Sequence, residues 1–174
     1  MSSGDTTPIG PVVVTWAYDE ITIPDWYFET SKAYLDCGLR TYIQLKDGNL
    51  PLNYHYARVA KHLYDHSLEL FFKGVILQAK QQPTGTHDLA QLHRTFINLC
   101  PGKAFAFSAS INEMVTSNPN RPHSEYGRYP TAKDWKLWKG GDTFQDIGLR
   151  VQEYKNLQDD FERLIPLIKQ RYPD

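Results

Sequence analysis

The stretch from about Pro51 to Gln78 constrains this chain more than any other, because its apolar and polar residues alternate with the period of an α-helix. Tyr56, Val59, Ala60, Leu63, Ser67, Leu70, Phe71, Gly74 and Val75 fall on one broad face. Arg58, His62, Asp65, His66, Glu69 and Lys73 form a stripe opposite. So long an amphipathic helix has to bury its apolar face against other elements, so the neighbouring segments should supply helices to pack on it.

They carry the matching signals. Pro24 to about Leu45 reads as a first helix, with Pro24 in its first turn and Thr22 or Asp25 as its cap. Tyr27, Tyr34, Leu35, Tyr42 and Leu45 share one side of it, and Asp47-Gly48-Asn49 ends it. Beyond the break at Pro83-Thr84-Gly85, Thr86 is expected to cap a third helix with Leu89, Leu92, Phe96 and Leu99 on one face. After Pro101-Gly102 a short fourth helix is expected, its seam made by Phe107, Ile111 and Met114. A last helix runs from about Thr143 to Tyr172, where Asp142 and Gln145 have capping-box spacing. Ile147, Val151, Tyr154, Leu157, Phe161, Leu164 and Ile168 form its seam, and Pro166 should kink it. The expected fold is therefore all-α, a bundle of about five helices over residues 24–174. Residues 1–23, with Pro8, Gly10, Pro11 and then Val12-Val13-Val14, form a partly irregular arm.

A chain of 174 residues suits one domain and buries enough surface to be held by its core alone. Its formal charge of −1 excludes a uniformly basic nucleic-acid coat but leaves room for a local basic patch. Cys37 and Cys100 are too few and too far apart for a disulfide scaffold or a structural zinc site, and both read as small core residues. Met1-Ser2-Ser3-Gly4-Asp5 lacks the basic flank and apolar run of a secretory signal, and no apolar run is long enough to span a bilayer. The expected location is the cytoplasm.

Three places carry candidate chemistry. His62, His66 and Glu69 follow one another up the polar stripe, but a di-metal bundle needs a second such set on another helix, and none is present. The stripe is read as a charged helix surface with favourable Glu69–Lys73 spacing, and neither a metal nor a cofactor is expected. Thr86-His87-Asp88 sets a hydroxyl, an imidazole and a carboxylate in a row. Capping by Thr86, with Asp88 in the positive first turn, explains two of them and leaves His87 as the one of interest.

The third is Ser117–Gly141, a long segment without periodicity. In it Arg121, Arg128, Lys133, Lys136 and Lys139 interleave with Tyr126, Tyr129, Trp135 and Trp138, against the two acids Glu125 and Asp134. Cations neutralise phosphates and flat rings stack on bases, so this composition suits a nucleotide or a single strand. It equally suits a loop that packs its aromatics back on the bundle. No GxxxxGK[ST], GxGxxG or GxSxG segment is present, which argues against the common nucleotide-fold and hydrolase-fold enzymes.

Taken in order, Ser67-Leu68-Glu69-Leu70-Phe71-Phe72-Lys73-Gly74, Thr86-His87-Asp88-Leu89 and Arg128-Tyr129-Pro130 resemble the HEPN family, whose members carry an A-E-x-A-L-K-A-like helix, a T-H-D-L helix start and an R-Y-P segment. The resemblance spans roughly residues 24 to 172. It implies a five-helix bundle built around an up-and-down core, often dimeric, in which the aromatic and basic segment read above would lie between the fourth and last helices. Some members are partners of a separate small nucleotidyltransferase; others are metal-independent ribonucleases, frequently toxins or defence effectors.

The ribonucleases use an arginine followed by four to six residues and then a histidine, a pair that activates a ribose hydroxyl and stabilises phosphate charge. No arginine here has that interval. Arg58 precedes His62 by three intervening residues and His66 by seven, and Arg121 precedes His123 by one. Phe71-Phe72 and Gly74 also depart from the family's helix. The expectation is therefore a non-catalytic HEPN-like domain that binds a nucleotide, RNA or a protein partner, as a homodimer, through Arg128, Tyr129, His87, Glu69 and Lys73. Arg128 either contacts phosphate or pairs with Glu69 as a latch. The rival expectation is a metal-independent endoribonuclease with a displaced Arg121/His123 pair, and a third is a structural dimerisation module.

Overall fold

The computed structural model of the chain describes residues 21–50, 54–82, 85–108 and 147–173. They fold into four α-helices, α1 (Ile23–Lys46), α2 (Tyr54–Gln78), α3 (Leu89–Leu99) and α4 (Ile147–Arg171), with a single 3-10 turn at Lys103–Phe105 and no strand among them. The protein is an all-helical bundle.

Local chemistry sets the ends of these helices. Thr22 caps α1 by accepting the Asp25 N–H at 3.3 Å, with proline in the first turn and Asp25 beside the positive end of the helix dipole. The α2 helix closes through Lys80, whose φ of 57° is left-handed. This lets the Gln81 N–H reach the Ile76 carbonyl at 3.0 Å and the Lys80 N–H reach Leu77 at 2.8 Å. At α3 the expected cap is corrected by one element of geometry. Asp88, not Thr86, is the N-cap, and its Oδ1 accepts from Ala90 N–H at 2.9 Å and Gln91 N–H at 3.3 Å. Thr86 Oγ1 accepts from the Asp88 N–H at 3.1 Å and so steadies the turn that leads into the helix.

α1 and α2 form an antiparallel pair. Contacts step along it in opposite directions, from Tyr42 against Ala57, through Gly38 against Ala60 and Tyr34 against His66, to Phe28 against Gly74. Two glycines permit the close approach. A Cβ on Gly38 would lie 2.6 Å from the Tyr154 ring and 3.2 Å from the Ala60 carbonyl, and one on Gly74 would lie 2.9 Å from the Phe28 ring. Tyr154 of α4 then donates its hydroxyl proton to the Ala60 carbonyl at 2.5 Å, pinning the third helix of the layer to α2.

Phe71 sits at the centre. Its ring stacks on Phe161 of α4 at 4.5 Å and 5°, and meets Phe28 of α1, Phe96 of α3 and Phe107 at tilted or edge-on angles. Every described element contributes to this one core, as a single-domain bundle requires. Val151, Tyr154, Leu157, Phe161, Leu164 and Ile168 are buried along α4, and the helix runs on past Pro166, which is exposed, to Arg171.

Two expectations are overturned here. Cys37 is exposed and only Cys100 is buried, because Cys37 lies off the Leu35–Leu39–Tyr42 seam that faces the core. Tyr56 and Val59 are exposed, since the buried seam of α2 starts at Ala60 and continues through Tyr64, Leu68, Phe71 and Val75. Beyond Gly102 the chain makes a 3-10 turn and Ala106 to Ser108 lie outside any helix, while the rest of the expected fourth helix falls beyond Ser108, outside the described residues. Arg163 of α4 donates to the carbonyls of Ala104 and Ala106 at 2.7 Å each, while Asp160 accepts the Ser108 N–H at 2.9 Å. Phe107 nevertheless reaches the core. Ile111 and Met114 lie outside the described residues.

Candidate functional site

The polar stripe of α2 is not a solvated helix surface. Glu69 and Asp65 are buried, and His62, His66 and Lys73 are partly buried. A carboxylate taken out of water costs several kcal/mol unless charge and hydrogen bonds replace the lost solvent. Both acids find the replacement one helical turn away, Asp65 in Lys61 at 2.8 Å and Glu69 in Lys73 at 2.7 Å.

Glu69 is the more elaborate of the two. Its side chain is 3 % exposed, and Oε1 accepts both from Lys73 Nζ and from Nδ1 of His87, each at 2.7 Å. Its second oxygen lies 3.5 Å from Nδ1 of His66. The His66 ring is held in turn by the edge of Tyr34 at 4.6 Å and stacks on His62 at 5.9 Å and 12°. One carboxylate thus gathers an ammonium and an imidazole from its own helix and a second imidazole from the turn that starts α3.

The two histidines differ in access. The His66 side chain is 19 % exposed, whereas that of His87 is 60 % exposed. Lys73, at 13 %, is spent on Glu69 and mostly out of solvent. Of the three residues expected in these two segments to touch a ligand, His87 is the most exposed. Glu69 Oε1 links Lys73 to His87.

Local sequence explains why they meet. Glu69 and Lys73 are four apart on one helix, and Lys80 turns the chain so that the segment leading into α3 passes back along α2. Residues 85–88 lie outside any helix and Asp88 is extended, and His87 comes to lie against Glu69. The part played by His66 was visible as a member of the α2 stripe, but that of Tyr34 was not, since its place on the apolar side of α1 gave no sign of a polar neighbour. Neither was the Asp160–Arg163 clamp, whose partners are main-chain atoms more than fifty residues away.

Among the described residues no group of three or more His, Cys, Asp or Glu side chains is arranged to hold a metal, and no helix is long and apolar enough to cross a membrane. Arg121, His123, Arg128 and Tyr129 lie outside the described residues, as does the whole Ser117–Gly141 segment. No family model matches the sequence, and neither a curated protein nor a solved structure matches it.

Proposed function

We propose that the chain is a non-catalytic HEPN-like binding domain whose ligand is a nucleotide or a short single-stranded RNA. It acts in the cytoplasm as a homodimer, accessory to a small nucleotidyltransferase carried on another polypeptide. The observation that carries the reading is the 2.7 Å contact between Glu69 and His87. It brings together two of the three segments on which the family resemblance rests, from different helices, and leaves the histidine at the surface. The interleaved cations and rings of residues 118–139, with Arg128 and Tyr129 among them, supply the phosphate-neutralising and base-stacking chemistry such a ligand needs.

Thermal-shift measurements against nucleoside mono-, di- and triphosphates and a short single-stranded RNA test the proposal. A ligand at a hundred times its Kd stabilises by about 2.7 kcal/mol, which for a domain of this size raises the melting temperature by several degrees. That rise is expected for the native protein and is expected to be lost in Arg128→Ala/Tyr129→Ala. RNA cleavage in the absence of metal that disappears in His123→Ala would contradict the proposal and favour the ribonuclease. No response to any of these ligands, together with a stable dimer, would favour a purely structural module.

A further inference from the structure

α3 is the shortest of the described helices, at 11 residues, and a helix of fewer than about twelve is marginal unless packing supports it. Its support comes from one face, made by Leu92, His93, Phe96 and Cys100, which lies mainly on α2. α4 reaches it at its end, where Arg171 and Tyr172 donate to the Leu99 carbonyl. Each flank holds a glycine in open space. A Cβ at Gly85 or at Gly102 would meet nothing within 4 Å, and Gly102 adopts a φ of 105°. The chain beyond Gly102 is fastened separately, by Arg163 and Asp160 of α4. α3 is thus a one-sided helix between two turns, and its neighbours are held by other elements.

One member of its buried face differs from the rest. The His93 imidazole lies 5.6 Å from the ring of Phe72 and 6.3 Å from those of Phe96 and Phe107. Phe72 belongs to α2 and Phe107 to the segment clamped on α4, so the imidazole sits where α3 meets both of its supports. The charged groups on the surrounding elements are Glu69 and Lys73 of α2, His87, Asp88 and Arg94 at or in α3, Lys103 of the turn, and Asp160 and Arg163 of α4. No hydrogen bond or ion pair joins any of them to His93. A proton on this ring puts a charge among phenyl groups, and burial accordingly holds its pKa below 6.5.

We propose that His93 is an acid-sensitive fastening, and that protonation of its ring frees α3 from α2 and Phe107 while the rest of the bundle stays folded. Above pH 6.5 the ring is neutral whether α3 is docked or open, and the docked form prevails. Below it the open form takes the proton more readily, and the balance moves towards opening. One pH unit below 6.5, opening becomes up to about tenfold more frequent, the limit reached when only the open form is protonated. The device is independent of the ligand proposed above.

Native-state hydrogen exchange of the full chain, in low concentrations of urea at pH 7.5 and pH 5.5, tests it, with each amide rate divided by its intrinsic rate at that pH. The amides of Leu92 to Cys100 should exchange through an opening of their own, with a shallower urea dependence than the buried amides of α1 and α4, whose exchange requires global unfolding. That opening should be up to about tenfold more frequent at pH 5.5 than at pH 7.5. His93→Phe keeps a ring of similar size without the titration, and His93→Leu serves if the phenyl group overpacks. In either variant the opening should have the same frequency at both pH values. Three results would overturn the proposal: α3 amides that share the urea dependence of global unfolding, a separate opening that pH leaves unchanged, or a pH effect that survives both substitutions and so belongs to another group.

Discussion

At the scale of single residues, the protein is shaped by polar groups that it has removed from water. Glu69 survives burial because Lys73 and His87 share one of its oxygens. Breaking such a pair leaves a desolvated charge, so Lys73→Met should destabilise the protein by about 3 kcal/mol, read as a lower midpoint in urea unfolding. Adding Glu69→Leu to that variant should restore much of the loss, because the charge then goes with its partner. His93 is a different case, a buried imidazole against Phe72, Phe96 and Phe107 with no carboxylate beside it among the described residues. Burial holds its pKa below the ordinary value of 6.5. The native state therefore binds this proton less readily than the unfolded chain. The stabilisation is complete above pH 6.5 and is lost as the pH falls from there towards the native value. His93→Phe should flatten this part of the curve of stability against pH, measured by urea unfolding at a series of pH values.

At the scale of elements, the contacts that decide the geometry are those where a helix has given up a side chain. Gly74 lies under the Phe28 ring and the Tyr27 Cβ, with 2.9 Å and 3.1 Å for any added methyl. Gly74→Ala should cost about 1–3 kcal/mol by overpacking, even though alanine favours a helix by about 1 kcal/mol over glycine. The opposite holds at Lys80, which is exposed and left-handed at the end of α2, where Lys80→Gly should stabilise by roughly 0.5–1 kcal/mol. Thermal unfolding of both variants decides the pair of signs.

These examples also show how far the elements were legible in the sequence. The position and period of α1, α2, α3 and α4 followed from the spacing of apolar residues, because burial of one face is a property of each helix alone. The cap of α3 was displaced from Thr86 to Asp88 because both residue types suit the role and only the backbone between them chooses. The hold of Arg163 and Asp160 on residues 104–108 was not legible, because it depends on how distant segments meet. The candidate site was half legible. The spacing of Glu69 and Lys73 was plain, but their burial was not, since a stripe of alternating charge on one helix looks the same whether water or another segment covers it.

At the scale of the molecule, separate fastenings tie the bundle's periphery to the Phe71 core. Arg171 and Tyr172 both donate to the Leu99 carbonyl, at 3.0 and 2.6 Å, and Gln78 donates to the Tyr172 carbonyl at 2.7 Å. The end of α4 is thereby secured to the ends of α2 and α3, and Lys169 and Lys32 add ion pairs to Asp25 and Glu162 between α1 and α4. A rigid scaffold of this kind holds Glu69 and the turn that bears His87 in fixed relation, which a preorganised binding site requires. The most direct measurement of the functional claim is the titration of a nitrogen-15-labelled protein with adenosine 5′-monophosphate and with a short single-stranded RNA. Amide shifts that move with saturating behaviour are expected to cluster at Lys73, at His87 through Leu89, and at Arg128 and Tyr129. Shifts confined to other surfaces, or a spectrum that neither ligand changes, would contradict it.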